Sequence, residues 1–378
     1  MSPERTNPAG LGPHARALGH CTFCPKLCRF CCPTAEAERS ETVTPWFKMT
    51  LAERYRQGAR DLQGGPAEVF LHCLGCLHCR THCRHQNDVP GALLAARAAT
   101  FAAGEAPPAV LEVLARFRAS GNPWGEELLA ARARAVPPEL LVPEAQAVVF
   151  PGCQALRAPE RHLAPLLRLL GALGVEHVGV ASGPEVCCGA PLWQAGDLAG
   201  LRAHGRALAR SLSAARTILC PCPTCAWVLG AVLREAGAAP GGHVLTLDAF
   251  LAPLLARRPP PRALAGRYVF HDPCFLTRYL ERGDTTRRVL GGVLGEPLLE
   301  PAWTGADAAC CGGGGLVPHA LPEVARGVAA ARVAQLAATG ADAVVTACPG
   351  CVRQLGEPPD ALPVKDWVEL LADAYAPE

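Results

Sequence analysis

Thiolates placed three, three and four positions apart can fold around one cubane iron-sulfur cluster, and Cys73, Cys76, Cys79 and Cys83 have that C-x2-C-x2-C-x3-C spacing. A second set, Cys21, Cys24, Cys28 and Cys32, opens one residue wider after Cys24 and ends Cys32-Pro33, as bacterial two-cluster patterns do, whereas the other ends Cys83-Arg84. In such pairs the fourth cysteine of each motif serves the neighbouring cluster. The expected ligand sets are therefore Cys21, Cys24, Cys28 and Cys83 for one [4Fe-4S] cubane, and Cys73, Cys76, Cys79 and Cys32 for the other. Structural zinc sites also use CxxC pairs, but three closely spaced cysteines in each motif argue for iron and sulfide.

Ten further cysteines form two sets of five: Cys153, Cys187, Cys188, Cys222 and Cys225, then Cys274, Cys310, Cys311, Cys348 and Cys351. Equivalent members are offset by 121 to 126 residues, which makes the two stretches diverged copies of one unit. Five thiolates is one more than a zinc ion or a cubane needs. Neighbouring side chains point apart in an extended strand, so Cys187-Cys188 and Cys310-Cys311 must lie on turns, and the glycine after each pair lets the backbone approach closely. Cys222-Pro-Thr-Cys225 and Cys348-Pro-Gly-Cys351 fall at helix starts, where free N–H groups favour thiolates. Both sets are read as metal ligands.

These sets account for eighteen of the 20 cysteines. Cys31 competes with Cys32 as a ligand, the proline that follows favouring Cys32; Cys220 closes a strand and reads as a small buried hydrophobe. The run Gly312 to Gly315 has neither the Walker lysine nor GxGxxG spacing, so close backbone approach to a metal centre explains it better than phosphate binding. Trp46 and Trp124 read as core residues near cluster loops. The second motif is surrounded by Arg80, Arg84, His72, His78, His82 and His85, against Asp88 alone. Positive charge there should raise its cluster's potential. The histidine share, with ordinary pKa values of about 6.5, should fade as pH rises through roughly 5 to 8.

The elements that must hold these cysteines change character along the chain. Helical patterns over Thr50 to Leu62, Val89 to Ala103 and Ala109 to Ser120 predict a helical front part, closed by Pro137-Pro138 and Pro143. Beyond it, strands over Ala147 to Phe150, Val175 to Val180 and Thr217 to Leu219 alternate with helices over Arg161 to Leu173, Asp197 to Ala214 and Ala226 to Ala236, which implies a parallel sheet covered by helices. Pro259-Pro260-Pro261 punctuates the chain, and the alternation restarts with strands Tyr268 to His271 and Ala343 to Thr346, helix Leu321 to Ala338, and a helix from Val352. The expected organisation is a flexible tail over 1–18, a helical two-cluster domain over 19–135, and repeated α/β domains over 146–258 and 263–378.

Composition narrows the function classes. With 36 Lys+Arg against 34 Asp+Glu and a net charge of +2, nucleic-acid binding through phosphates is disfavoured. The lysines are Lys26, Lys48 and Lys365, and the preponderance of Arg reads as coding bias. No run approaches the roughly 20 apolar residues of a bilayer crossing. A start holding Pro3, Glu4, Pro8 and Pro13 lacks a secretory core, so a cytoplasmic protein is expected. Without a nucleotide fingerprint or an acid-base constellation, no flavin or NAD site is expected on this chain, and hydride chemistry is expected on a partner.

Two C...CCG...CxxC repeats behind a paired ferredoxin motif resemble the cysteine-rich (CCG) domain family, and His271-Asp272-Pro273-Cys274 and Gly121-Asn122-Pro123-Trp124-Gly125 look like further family segments. The family includes heterodisulfide reductase catalytic subunits and the iron-sulfur subunits of glycolate oxidase, lactate-utilisation enzymes and anaerobic glycerol-3-phosphate dehydrogenase. The resemblance, from His20 to Leu355, implies an α/β fold in which an N-terminal helical two-cluster ferredoxin-like domain precedes two CCG domains, with noncubane [4Fe-4S] centres in the five-cysteine repeats. It implies an oxidoreductase that passes electrons between an FAD-linked dehydrogenase partner, of 2-hydroxy acid or glycerol 3-phosphate type, and a membrane-associated acceptor, with the chain peripheral at the inner face of the membrane. The alternative it implies is a disulfide reductase of heterodisulfide reductase type.

Overall fold

The computed structural model describes residues 10–26, 28–59, 65–175, 177–359 and 361–377. Its front part is helical, with the longer helices over Pro45–Arg56, Val89–Ala102 and Pro108–Ser120. Each begins with a proline in its first turn, where the missing N–H costs nothing. Thr44 accepts the Phe47 N–H at 3.3 Å and Asp88 accepts the Gly91 N–H at 3.0 Å, fixing two of the starts. Leu11, Leu18, Met49, Tyr55, Phe70 and Leu93 form a core that also takes in Cys21, Cys31 and Cys79. Cysteines of both N-terminal motifs are thus anchored in one apolar cluster.

Of the flexible tail expected over 1–18, the part from Leu11 onward is folded. Residues 1–9 lie outside the described residues, but a turn over Gly12–His14 leads into helix Ala15–Thr22, with Leu11 and Leu18 buried. The helix expected from Thr50 begins earlier, at Pro45, and ends at Arg56; most of its expected last turn falls on 60–64, outside the described residues.

Beyond the linker, β1 (Ala147–Val149), β2 (Val178–Val180), β3 (Thr217–Cys220) and β4 (His243–Thr246) form a parallel sheet in the order β2-β1-β3-β4. The second copy forms a parallel sheet of β5 (Tyr268–His271), β6 (Ala343–Thr346) and β7 (Val364–Asp366) in that order. The place of β2 is taken by single bridges at Leu294 and Leu299. Near-continuous apolar strands such as Ala343–Thr346, buried throughout, are what helices on both faces require. The helix expected over Arg161 to Leu173 is broken into Pro159–His162 and Ala164–Ala172, and the one over Ala226 to Ala236 passes through a π-turn at Val228–Val232.

The two copies are locked together. Helix Trp367–Tyr375, which ends the second, packs against Ala164–Ala172 of the first. Arg97 then ties the front part to both: its guanidinium donates to the Phe70 and Cys73 carbonyls, to Gln194 O at 3.0 Å and to Gly315 O at 2.9 Å. Gly315, at φ +63°, lies so close to the front part that an added Cβ would meet Cys73 O at 2.1 Å. The glycine run therefore contacts the backbone of the second cysteine motif at Gly314 and Gly315, while the Gly312 and Gly313 N–H groups donate to Cys310 and Cys311 Sγ, each at 3.4 Å.

Candidate functional site

Cys21, Cys24, Cys28 and Cys83 line one cavity, of about 180 Å³, together with Trp46, Asn87 and His85. Helix Ala15–Thr22 presents Cys21, whose Sγ accepts a hydrogen bond from Asn87 Nδ2 at 3.3 Å. Burial pushes the Cys21 thiol up to about 11 despite that bond, with Cys83 and Cys24 adding to the rise. Burial, then repulsion from Cys21 and Cys24, pushes Cys28 up to about 12. Trp46 stands at the edge of this cavity with the Lys26 ammonium 4.0 Å above its ring.

Cys32, Cys73, Cys76 and Cys79 line a second cavity. Burial, then repulsion from Cys76, Cys73 and Cys32, holds Cys79 well above the ordinary thiol range. Cys31 also lines it, with its Sγ donating to Cys28 O at 3.1 Å. Composition concealed the role of Lys48. Its ammonium is buried, donating to His72 O at 2.6 Å and Thr34 Oγ1 at 3.1 Å, with Cys32 Sγ 3.9 Å away. Lysine in the interior needs such partners, and this one faces a thiol. His78 also departs from expectation: burial first, then Arg278 and His82 beside it, holds its pKa down to about 3. It is neutral throughout the window in which it was expected to titrate.

All ten cysteines of the two repeats line a single cavity of about 110 Å³ between the two sheets. The sequence implied one or two further iron-sulfur centres in the repeats, and the two sets open on one shared space. Cys153 and Cys187 approach to 3.4 Å and Cys311 and Cys351 to 3.3 Å, while Cys222 makes side-chain contact with Cys348 of the other copy. Gly152, at φ +74°, lies where an added Cβ would come within 2.8 Å of Cys225 Sγ, so the turn into the Cys153 helix has to be bare. Half-buried Trp124, Gln154, Gln194 and His319 also line the cavity. Trp124 is held there by Asn122, whose Oδ1 accepts the Trp124 and Glu126 N–H groups at 3.1 and 3.2 Å. Cys220 is buried at the end of β3, outside the lining.

The donor chemistry suits iron and sulfide. Every cysteine is free, and the closest sulfur pairs are far beyond the roughly 2.05 Å of a disulfide. Soft thiolates gathered in buried sets need a cation to be stable as anions, and a metal core supplies it.

The comparisons with known proteins agree with the cysteine pattern. The cysteine-rich domain called CCG matches residues 147–230 and 268–356. The chain is 27% identical over 399 residues to one of the subunits of the dihydromethanophenazine:CoB–CoM heterodisulfide reductase of Methanosarcina mazei, a match spanning 96% of this chain and 95% of that protein. It is also 27% identical over 366 residues to one of the subunits of the CoM/CoB fumarate reductase of Methanothermobacter marburgensis, covering 92% of this chain and 71% of that one. The chain thus carries two cysteine-rich (CCG) domains and is similar along most of its length to subunits of two reductases.

Proposed function

We propose that the chain is the disulfide-reducing subunit of a complex of heterodisulfide reductase type. The observation that carries this reading is the convergence of both five-cysteine sets on one cavity with a half-buried rim. The reading preferred on the sequence, an electron carrier for an FAD-linked dehydrogenase, yields to it because the relatives matched over most of the chain are heterodisulfide and CoM/CoB fumarate reductase subunits.

The reaction is RS–SR′ + 2 e⁻ + 2 H⁺ → RSH + R′SH. The sulfur–sulfur bond breaks, the disulfide is reduced, and a partner protein is oxidised. The cysteines of the two repeat sets would hold iron-sulfur centres, which when bound would supply the electrons beside the bond. Trp124 offers an apolar face to the substrate, while Gln154 and His319 offer polar contacts at the rim that fix its orientation. Residues 19–135 form a ferredoxin-like domain in which Cys21, Cys24, Cys28 and Cys83 hold one cubane and Cys32, Cys73, Cys76 and Cys79 the other. The repeats span 146–258 and 263–378. Among the described residues no helix is long and apolar enough to cross a membrane, and attachment to a membrane acceptor or donor would run through the partner.

The test uses anaerobically purified chain carrying iron and sulfide. With a reduced viologen as donor it should reduce small disulfides, and Cys188→Ser or Cys311→Ser should abolish that activity while sparing the cubane signals. Stoichiometric zinc in place of iron, or disulfide reduction that survives both substitutions, overturns the reading.

A further inference from the structure

The two halves of the cavity are not electrostatic equals. In the second repeat, Arg332 is buried and remains a cation, burial lowering its pKa only to about 10. Its Nε donates to His271 Nδ1 at 3.2 Å, and its Nη1 donates to Trp303 O at 3.0 Å and Gln335 Oε1 at 2.9 Å. Because Nδ1 of His271 accepts, a neutral ring carries its proton on Nε2. That ring belongs to a group in which the ligand atoms of His271, Cys311 and Cys351 all lie within 4.8 Å of one another. A second guanidinium, Arg278, donates to Cys76 O at 2.6 Å and to Ala308 O at 2.8 Å, and its charge reaches Cys76, Cys274 and Cys310. Both arginines keep one buried Nη2 without a hydrogen-bond partner. The nearby carboxylate, Asp272, is taken by Arg287 through contacts of 2.6 and 2.7 Å, so it offsets little of this charge.

The first repeat lacks the device. Counted from the equivalent cysteines Cys153 and Cys274, Phe150 stands three residues before, where His271 does, and Arg157 stands four residues after, where Arg278 does. Arg157 is turned away from the sulfurs: it pairs with Glu126 at 2.8 Å and lies 4.4 Å over the Trp124 ring. Arg202, Arg206 and Arg210, on helix Leu198–Ser211, are exposed. His204 contacts the Cys187 backbone carbonyl at 2.7 Å rather than a sulfur. The second repeat is also the one that brings a cysteine against the N-terminal motifs, because Cys76 makes side-chain contact with Cys310.

We infer that the second repeat is the entry point and electron sink of the cavity: electrons reach it first through Cys76 and Cys310, and Arg332, Arg278 and the His271 N–H hold its centre at a higher potential than that of the first repeat. This rests on the reading that both sets bind iron-sulfur centres. Reduction adds one negative charge to an anionic group, and fixed cations and N–H donors in a dry site favour the reduced form. His271, Arg332 and Arg278 are positioning residues in this account, since each acts through the cysteines.

The test is an EPR-monitored redox titration of the anaerobic holoprotein, with the two repeat centres assigned by Cys188→Ser and Cys311→Ser. The wave lost in Cys311→Ser should be the higher. Arg332→Gln should lower that wave by at least tenfold in the reduced-to-oxidised ratio at fixed poise, about 59 mV for one electron, and Arg332→Lys should restore part of the shift. Arg278→Gln gives an independent second variant, and Arg157→Gln should move neither wave. Waves in the opposite order, or waves unmoved by both Arg332→Gln and Arg278→Gln, overturn the inference while leaving the iron-sulfur reading intact. Absence of any repeat-centre signal overturns that reading, and the inference with it.

Discussion

His162 Nδ1 donates to Asp366 Oδ2 at 2.6 Å, and the two side chains, both buried, come from different repeats. The same carboxylate caps helix Trp367–Tyr375 by accepting the Val368 N–H at 3.2 Å, while Glu369 accepts the Asp366 N–H at 2.6 Å to complete a capping box. One residue thus starts a helix and fixes where that helix docks.

Asp366→Ala removes the cap and strands a buried imidazole. A lost cap costs about 1 kcal/mol, and an orphaned buried polar partner about 1–3 kcal/mol more. Urea unfolding of the holoprotein should show a loss of about 3 kcal/mol, with Asp366→Asn losing less because it still accepts a hydrogen bond. A loss under about 0.5 kcal/mol, the range of ordinary surface changes, would show that the seam does not depend on this pair.

Cys31 and Cys32 are neighbours that line the same cavity, yet the proposed ligand set contains only Cys32. Cys32→Ser should reduce iron content and remove one cubane signal. Cys31→Ser should leave both iron content and spectra unchanged, with at most a modest drop in stability. The reverse pattern in iron analysis would exchange their roles.

His319, at the rim of the shared cavity, gives a pH dependence with a definite sign. Burial first, then Arg353, Arg116 and Arg157, pushes its pKa down to about 4 from the ordinary 6.5. The unfolded chain binds a proton there below about pH 6.5 that the folded chain refuses until about pH 4, so stability falls as pH falls through that window. At pH 5 the difference amounts to about 2 kcal/mol. His319→Gln should remove this component, and the gap in urea midpoint between variant and parent should therefore widen in the variant's favour from pH 7 to pH 5. A gap independent of pH would refute the assignment.

Spacing made the ligand candidates legible, because covalent distance along the chain dictates which thiolates can share a turn. The repeat was legible for the same reason, and β5 and β6 fall where the apolar runs place them. Strands β4 and β7 were not, since His243–Thr246 and Val364–Asp366 are short and carry polar residues that hide the pattern. Convergence of two five-cysteine sets into one cavity is a property of how the sheets dock, which no local pattern encodes. The arginines read as compositional bias include Arg97, Arg278 and Arg332, whose importance comes from burial that only packing reveals.

Arg97 bears on how such a protein could be divided. Its donors are spent on carbonyls from the front part, the first repeat and the second. Splitting the chain at the 136–145 linker would leave the guanidinium Nη1 without its partners on one piece and the Gln194 and Gly315 carbonyls bare on the other. The three units therefore should not behave as interchangeable modules. Reassembly of separately made halves would require them to find one another before each had finished folding, and in a single chain the tether makes that encounter intramolecular.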